Sequence, residues 1–197
     1  FPDKLNMTIA ILGWGSLLWD KNHDFDNQHE SWKFDGPLLP LEFSRISKSR
    51  DNALTLVIDE LNGSQCQVAY SLSKRKNIED VIADLRCREG TIISNIGYCY
   101  NDDSRGHSRS SEVLKIVREW AAGMGIDIVV WTDLISNFRD KSLANQPYTL
   151  KSALSHLQSL SPEGKAKAAE YVWRSPNFIR TPLKTALESV PWFASKA

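Results

Sequence analysis

The order of apolar and polar positions separates a strand-rich first part of the chain from a helical last part. Residues 8–12 are an uninterrupted, β-branched apolar run, which predicts a short buried strand. Residues 38–47 predict a second strand, interrupted near its start by Pro40, with Leu41, Phe43 and Arg45 on one face. Residues 53–59 are a denser apolar strand. Residues 65–72 are the next, with Cys66, Val68 and Tyr70 on one side. The turn Leu61-Asn62-Gly63-Ser64 between these two predicts an antiparallel hairpin. Ile78, Val81, Ile82 and Leu85 then recur at helical spacing. Asn77 stands at the N-cap of that helix, Glu79 and Asp80 lie in its first turn, and Gly90 occupies the terminating position. A strand over 91–100 follows. Next come a helix from Ser110 or Ser111 through Trp120, with Gly123 or Gly125 ending it, and a buried strand over 126–134.

Beyond Asn137 the texture becomes helical. Thr149 caps a segment whose Leu150, Ala153, Leu154 and Leu157 share a face. Ser161-Pro162-Glu163 and Thr181-Pro182 are two further helix starts with proline in the first turn. The aromatic stretch Tyr171-Val172-Trp173-Arg174-Ser175-Pro176-Asn177-Phe178 between them has two readings, simple packing or a cover over a pocket mouth.

Composition narrows the classes of partner. The chain has 197 residues, 42% of them hydrophobic, enough for a real core. Its 24 basic and 24 acidic residues balance, and no basic stripe with interleaved aromatics occurs. These features argue against nucleic acid or an anionic membrane as main partner. Cys66, Cys87 and Cys99 are odd in number and lack C-x-x-C spacing, the usage of reduced thiols in a cytoplasmic protein. No apolar run approaches the ~20 residues that span a bilayer. The start Phe1-Pro2-Asp3-Lys4-Leu5-Asn6 lacks the apolar segment of a signal peptide, and Met7 is a candidate natural start.

The first candidate chemistry lies in Gly13-Trp14-Gly15-Ser16-Leu17, directly after the opening strand. Two glycines one residue apart allow a tight turn whose N–H groups form a nest for a carboxylate or phosphate. Leu18 occupies the third glycine place of a dinucleotide fingerprint, and neither a P-loop nor a nucleophile elbow is present. The bland alternative is a plain strand-to-loop turn. Residues 20–30 are dense in metal-ligand types, and Asp20, Asn22 and Asp24 match the first positions of a calcium loop. Phe25 and Ser31 break the pattern, so no metal site is expected; the stretch reads as a solvated polar loop, with a substrate-covering loop as the alternative because it follows the glycine turn. Arg45 is a surface or ion-paired arginine, or an anion-binding one. Glu89 is the second candidate. An acid beside the negative end of a helix is locally unfavourable, and in a pocket it would suit a proton carrier; the alternative is an exposed glutamate or one paired with Arg86 or Arg88.

Four blocks, in this order, resemble the γ-glutamylcyclotransferase superfamily, and its ChaC-like, glutathione-degrading branch in particular. Gly13-Trp14-Gly15-Ser16-Leu17-Leu18-Trp19 is similar to that family's signature loop, with Trp14 in place of the usual tyrosine. Phe43-Ser44-Arg45 stands where a strand with arginine belongs. Gly63-Ser64-Gln65-Cys66-Gln67-Val68-Ala69-Tyr70 resembles the glycine turn and following strand. Leu85-Arg86-Cys87-Arg88-Glu89-Gly90 resembles the helix end that carries the family's catalytic glutamate, with Gly90 where the branch tends to have lysine before glycine.

The resemblance implies an α+β fold: a mixed, mainly antiparallel, barrel-like sheet with flanking helices over residues 7–136. Residues 137–197 would form a helical C-terminal extension packed on it. It also implies conversion of a γ-glutamyl amine or peptide to 5-oxoproline and a released amine. Glu89 would be the general acid/base, and Gly13, Trp14, Gly15, Ser16, Leu17 and Arg45 would bind the γ-glutamyl group. Neither a cofactor nor a metal is expected. The alternative is a non-catalytic small-molecule carboxylate-binding or regulatory module on the same fold.

Overall fold

The computed structural model describes residues 6–21, 23–102 and 105–196. The part of the N-terminal reading that rests on residues 1–5, and the Asn22 position of the calcium-loop comparison, lie outside them. In chain order the elements are β1 (Ile9–Gly13), β2 (Leu38–Ser47), β3 (Ala53–Ile58), β4 (Ser64–Gln67), β5 (Ala69–Leu72) and α1 (Ile78–Glu89). They continue with β6 (Ile96–Tyr100), β7 (Gly106–His107), α2 (Ser111–Met124), β8 (Ile128–Thr132), α3 (Phe138–Lys141), α4 (Leu150–Gln158), α5 (Pro162–Arg174) and α6 (Pro182–Leu187). The protein is thus α+β. Among the described residues the strands form two open sheets, one of five and one of three strands, and no closed barrel. No described helix is long and apolar enough to cross a membrane.

The chain divides into two compact units, each assembled from separate stretches. The first comprises residues up to Gly13, Asp20–Leu38 and Gln67–Leu134. Its sheet has the order β5-β1-β8-β6-β7, with β1 and β8 parallel and the other pairs antiparallel. β1 lies between two partners, and all five of its residues are buried. That is why its sequence is continuously apolar and does not alternate. Helix α1 is built as its ends suggest. The Asn77 side chain accepts from the Glu79 N–H, and Gly90 adopts the left-handed conformation with φ 61° that ends the helix. Val81 and Leu85 are its buried residues. Helix α2 starts with the Ser110 side chain accepting from Val113 N–H and ends at Gly125 in the same left-handed conformation.

The second unit comprises Trp14–Trp19, Leu39–Cys66 and the chain from Ile135 onward. It joins the helical last part to strands that the sequence pattern groups with the first part. Its antiparallel sheet has the order β3-β2-β4. A bulge between Phe43 and Arg45 shifts the register of β2 on β3. Beside it the Asn137 amide oxygen accepts the Ile46 N–H at 2.7 Å, and its amide nitrogen donates to the Ile46 carbonyl at 3.1 Å. Helices α4, α5 and α6 start with side-chain caps from Thr149, Ser161 and Thr181, as the sequence indicates.

Three local expectations change. The segment 65–72 is not one strand: β4 pairs with β2, β5 pairs with β1, and the break is at Val68, whose N–H donates to the Pro37 carbonyl at 3.0 Å. Consequently β3 and β4 are not a hairpin; both flank β2. The strand expected from Thr91 begins at Ile96, because Ile93–Asn95 form a 3-10 turn with Ile92 and Ile93 exposed.

Candidate functional site

Glu89 is the last residue of α1, and Gly90 turns the chain immediately after it. Its side chain is 19% exposed and lies 3.7 Å from the guanidinium of Arg88, itself only 7% exposed. Arg88 also approaches Asp20, at 3.6 Å. Of the two partners foreseen for Glu89, the structure shows Arg88. The carboxylate therefore sits at a helix C-terminus, where the backbone dipole is unfavourable to it, with a cation at hand.

Gly13 ends β1, where it pairs with Ala69. The chain then leaves the sheet. Ser16–Leu18 form a 3-10 turn, closed by Leu18 N–H donating to the Gly15 carbonyl at 3.0 Å and Trp19 N–H to the Ser16 carbonyl at 3.2 Å. Trp14 and Leu17 are buried at 6% exposure each, and Ser16 is half-buried. The apolar residues of the motif thus anchor the turn and leave the backbone of Gly15 and Ser16 to define its edge. Arg45 lies just past the β2 bulge, half-buried, and its Nη1 donates to the Ile135 carbonyl at 2.8 Å. That hydrogen bond engages one edge of its guanidinium with the backbone.

Tyr171, in the last turn of α5, opens the aromatic stretch for which the sequence left packing and a pocket cover open. It is 5% exposed. Its hydroxyl accepts the Leu56 N–H at 3.3 Å, and its ring meets Trp19 edge-on at 5.2 Å and Phe43 at 6.1 Å. The guanidinium of Arg50 lies 5.1 Å from the ring centroid. A side chain on Gly15 would place its Cβ 2.4 Å from the Tyr171 hydroxyl. The aromatic stretch at 171–178 was the signal available in sequence, and its first residue packs against the glycine turn.

Within residues 20–30, Asp24–Asn27 form a 3-10 turn, Phe25 is buried, and His29 is 9% exposed. His29 Nδ1 lies 2.6 Å from the Glu30 carbonyl and 3.0 Å from the Ser71 hydroxyl. The loop is thus polar and solvated at Lys21, His23, Asp24, Asn27 and Glu30, with Phe25 and His29 as its buried anchors. His107 is exposed, and His156 Nε2 lies 2.8 Å from the Asn52 carbonyl. Among the described residues no group of three His, Cys, Asp or Glu is arranged to hold a metal ion. All three cysteines are free thiols; burial pushes the Cys99 thiol up to about 11. No protein-family model matches the chain, and a search of curated proteins finds no match.

Proposed function

We propose that the protein is a γ-glutamylcyclotransferase-like enzyme that closes the γ-glutamyl group of an amine or peptide into 5-oxoproline and releases the amine. The observation that carries this reading is Glu89: a sheltered carboxylate at a helix C-terminus, next to Arg88, in the block that resembles the family's catalytic helix end. Glu89 takes a proton from the substrate's α-ammonium. The freed nitrogen attacks the γ-carbonyl carbon, Glu89 passes its proton to the departing nitrogen as the amide C–N bond breaks, and the remaining extra proton on the new ring nitrogen goes to the released amine, which leaves as an ammonium. Positioned acid–base groups of this kind contribute ~10²–10⁴-fold. Because nucleophile and electrophile belong to one molecule, the protein's main task is to fold the substrate into attack geometry. Backbone N–H groups in the turn from Trp14 to Leu17 would hold the α-carboxylate or polarise the carbonyl. The reaction requires no cofactor or metal.

A second reading is a carboxylate-binding module without turnover. It draws on the Arg88 ion pairs to Glu89 and Asp20, which give Glu89 a structural partner independent of any chemistry. Incubation with γ-glutamyl peptides separates the two. The enzyme reading expects 5-oxoproline from the wild type and its loss in Glu89→Gln. Ligand binding without 5-oxoproline supports the module, and full turnover by Glu89→Gln removes Glu89 from its assigned role.

A further inference from the structure

We propose that Tyr171 is a positioning residue for the glycine turn, so that the C-terminal helical part of the chain sets the shape of the substrate-holding loop. The inference rests on the function proposed above and goes beyond it, because nothing in the resemblance reaches α5. It starts from a contact. The Tyr171 hydroxyl occupies the space where a Cβ of Gly15 would be, at 2.4 Å, whereas the ring carbon behind it would stand at 3.4 Å, an ordinary contact. The hydroxyl is not a loose end that can give way. A tyrosine has two side-chain torsions, and both are held here: the ring contacts Trp19 and Phe43, and the oxygen accepts the Leu56 N–H.

One side chain thus touches the turn at two points. The hydroxyl meets Gly15, at the entry of the 3-10 turn, and the ring edge meets Trp19, at its exit. The turn between them is short, so fixing both ends fixes the direction of its backbone N–H groups. The resembling family carries a tyrosine in the loop itself; here Trp14 stands at that place, and a phenol reaches the same loop from α5. A nest of N–H groups holds a carboxylate well only when its donors are already aimed. Tyr171 supplies that aim without touching substrate. Arg50, over the same ring, steadies it from the other unit-2 strand connection between β2 and β3.

The test is a double-mutant cycle of wild type, Gly15→Ala, Tyr171→Phe and the pair, read by melting temperature and by steady-state 5-oxoproline release from a γ-glutamyl dipeptide. Tyr171→Phe keeps the ring and removes the oxygen; KM is expected to rise about three- to ten-fold with kcat within about two-fold, the loss of ground-state and transition-state holding together. Gly15→Ala alone is expected to lower the melting temperature and raise KM by more than about ten-fold, or to fail to fold, because its Cβ meets the hydroxyl. In the Tyr171→Phe background the same Gly15→Ala change is expected to cost little, so the pair folds and matches Tyr171→Phe alone. Equal cost of Gly15→Ala in both backgrounds overturns the proposal. So does a Tyr171→Phe protein that melts lower with unchanged KM, since the role is then structural only. If the wild type releases no 5-oxoproline, the function proposed above falls, while the coupling in melting temperature still decides whether Tyr171 sets the turn.

Discussion

Two glutamates show how differently the same side chain is used. Glu89 ends α1 with a side chain 19% exposed and the Arg88 guanidinium at 3.7 Å. Glu42 is 0% exposed in the middle of β2. One of its oxygens accepts the Phe43 N–H at 2.7 Å, and the other accepts the Leu183 N–H at 3.2 Å, with the Thr181 hydroxyl a further partner. Burial first, and the Asp59 charge last, raise its pKa above the ordinary carboxylate value of 4.5, against the lowering effect of those hydrogen bonds. Nearby, burial pushes the Tyr148 phenol well above its usual range, with Glu42 and Asp59 adding to it. Glu42 is thus a joint: it ties the first turn of α6 to β2. The comparison teaches that a perturbed acid is not by itself a catalyst. Exposure separates the two: Glu42 is fully buried, whereas the Glu89 side chain is 19% exposed.

The sharpest way to break this contrast is to neutralise each acid in turn. Glu89→Gln is expected to lower 5-oxoproline release by ~10²–10⁴-fold with the melting temperature nearly unchanged. Glu42→Ala should do the reverse. It strands buried N–H groups at Phe43 and Leu183 and is expected to cost about 2–4 kcal/mol in denaturant unfolding, while folded protein keeps its turnover. Exchange of these two phenotypes would assign the roles the other way round.

The pH dependence sharpens the same contrast. Glu42 binds its proton more tightly folded than unfolded, so its stabilising effect is full below the unfolded value of 4.5 and is lost as pH rises through the higher folded value. Wild type should therefore lose stability relative to Glu42→Gln as pH rises from about 4.5 toward neutrality. Lys184 runs the opposite way. It is 6% exposed, with its ammonium donating to the Ser175 carbonyl and hydroxyl and to the Pro176 carbonyl. Burial first, then Lys196 and Arg180, lower its pKa from 10.5 to about 8. The unfolded chain holds that proton longer, so wild type should gain stability relative to Lys184→Met between about pH 8 and 10.5. Chemical denaturation across pH measures both slopes. The smallest effect is expected at Gly90. Its φ of 61° suits glycine and its surroundings are open, so Gly90→Ala should cost only about 1 kcal/mol, from backbone strain alone.

Local signals carried much of this structure into the sequence. The Asn77 cap, the Gly90 stop, the Thr149, Ser161 and Thr181 caps and the buried run of β1 depend on residues within a turn of one another, and each is found in place. What depends on distant partners was not legible. The segment 65–72 alternates like one strand, yet Val68 hands its N–H to Pro37 and the two halves join different sheets. Glu42 reads as an ordinary polar position of an alternating strand, since its partner Leu183 is 141 residues away. Tyr171 lies in a stretch that composition marks only as aromatic, and its contacts with Gly15 and Leu56 exist only after folding. The position of Glu89 at the end of α1 was legible because it follows from Gly90 and the helical periodicity beside it, which are local.

The central claim is that the substrate's own nitrogen, and not water, attacks the γ-carbonyl. It is tested most directly by incubating the wild-type protein with a γ-glutamyl dipeptide in ¹⁸O-labelled water and analysing the products by mass spectrometry. The account predicts 5-oxoproline and free amine in equal amounts, with no ¹⁸O in the 5-oxoproline. Free glutamate carrying ¹⁸O, or no product at all, would contradict it.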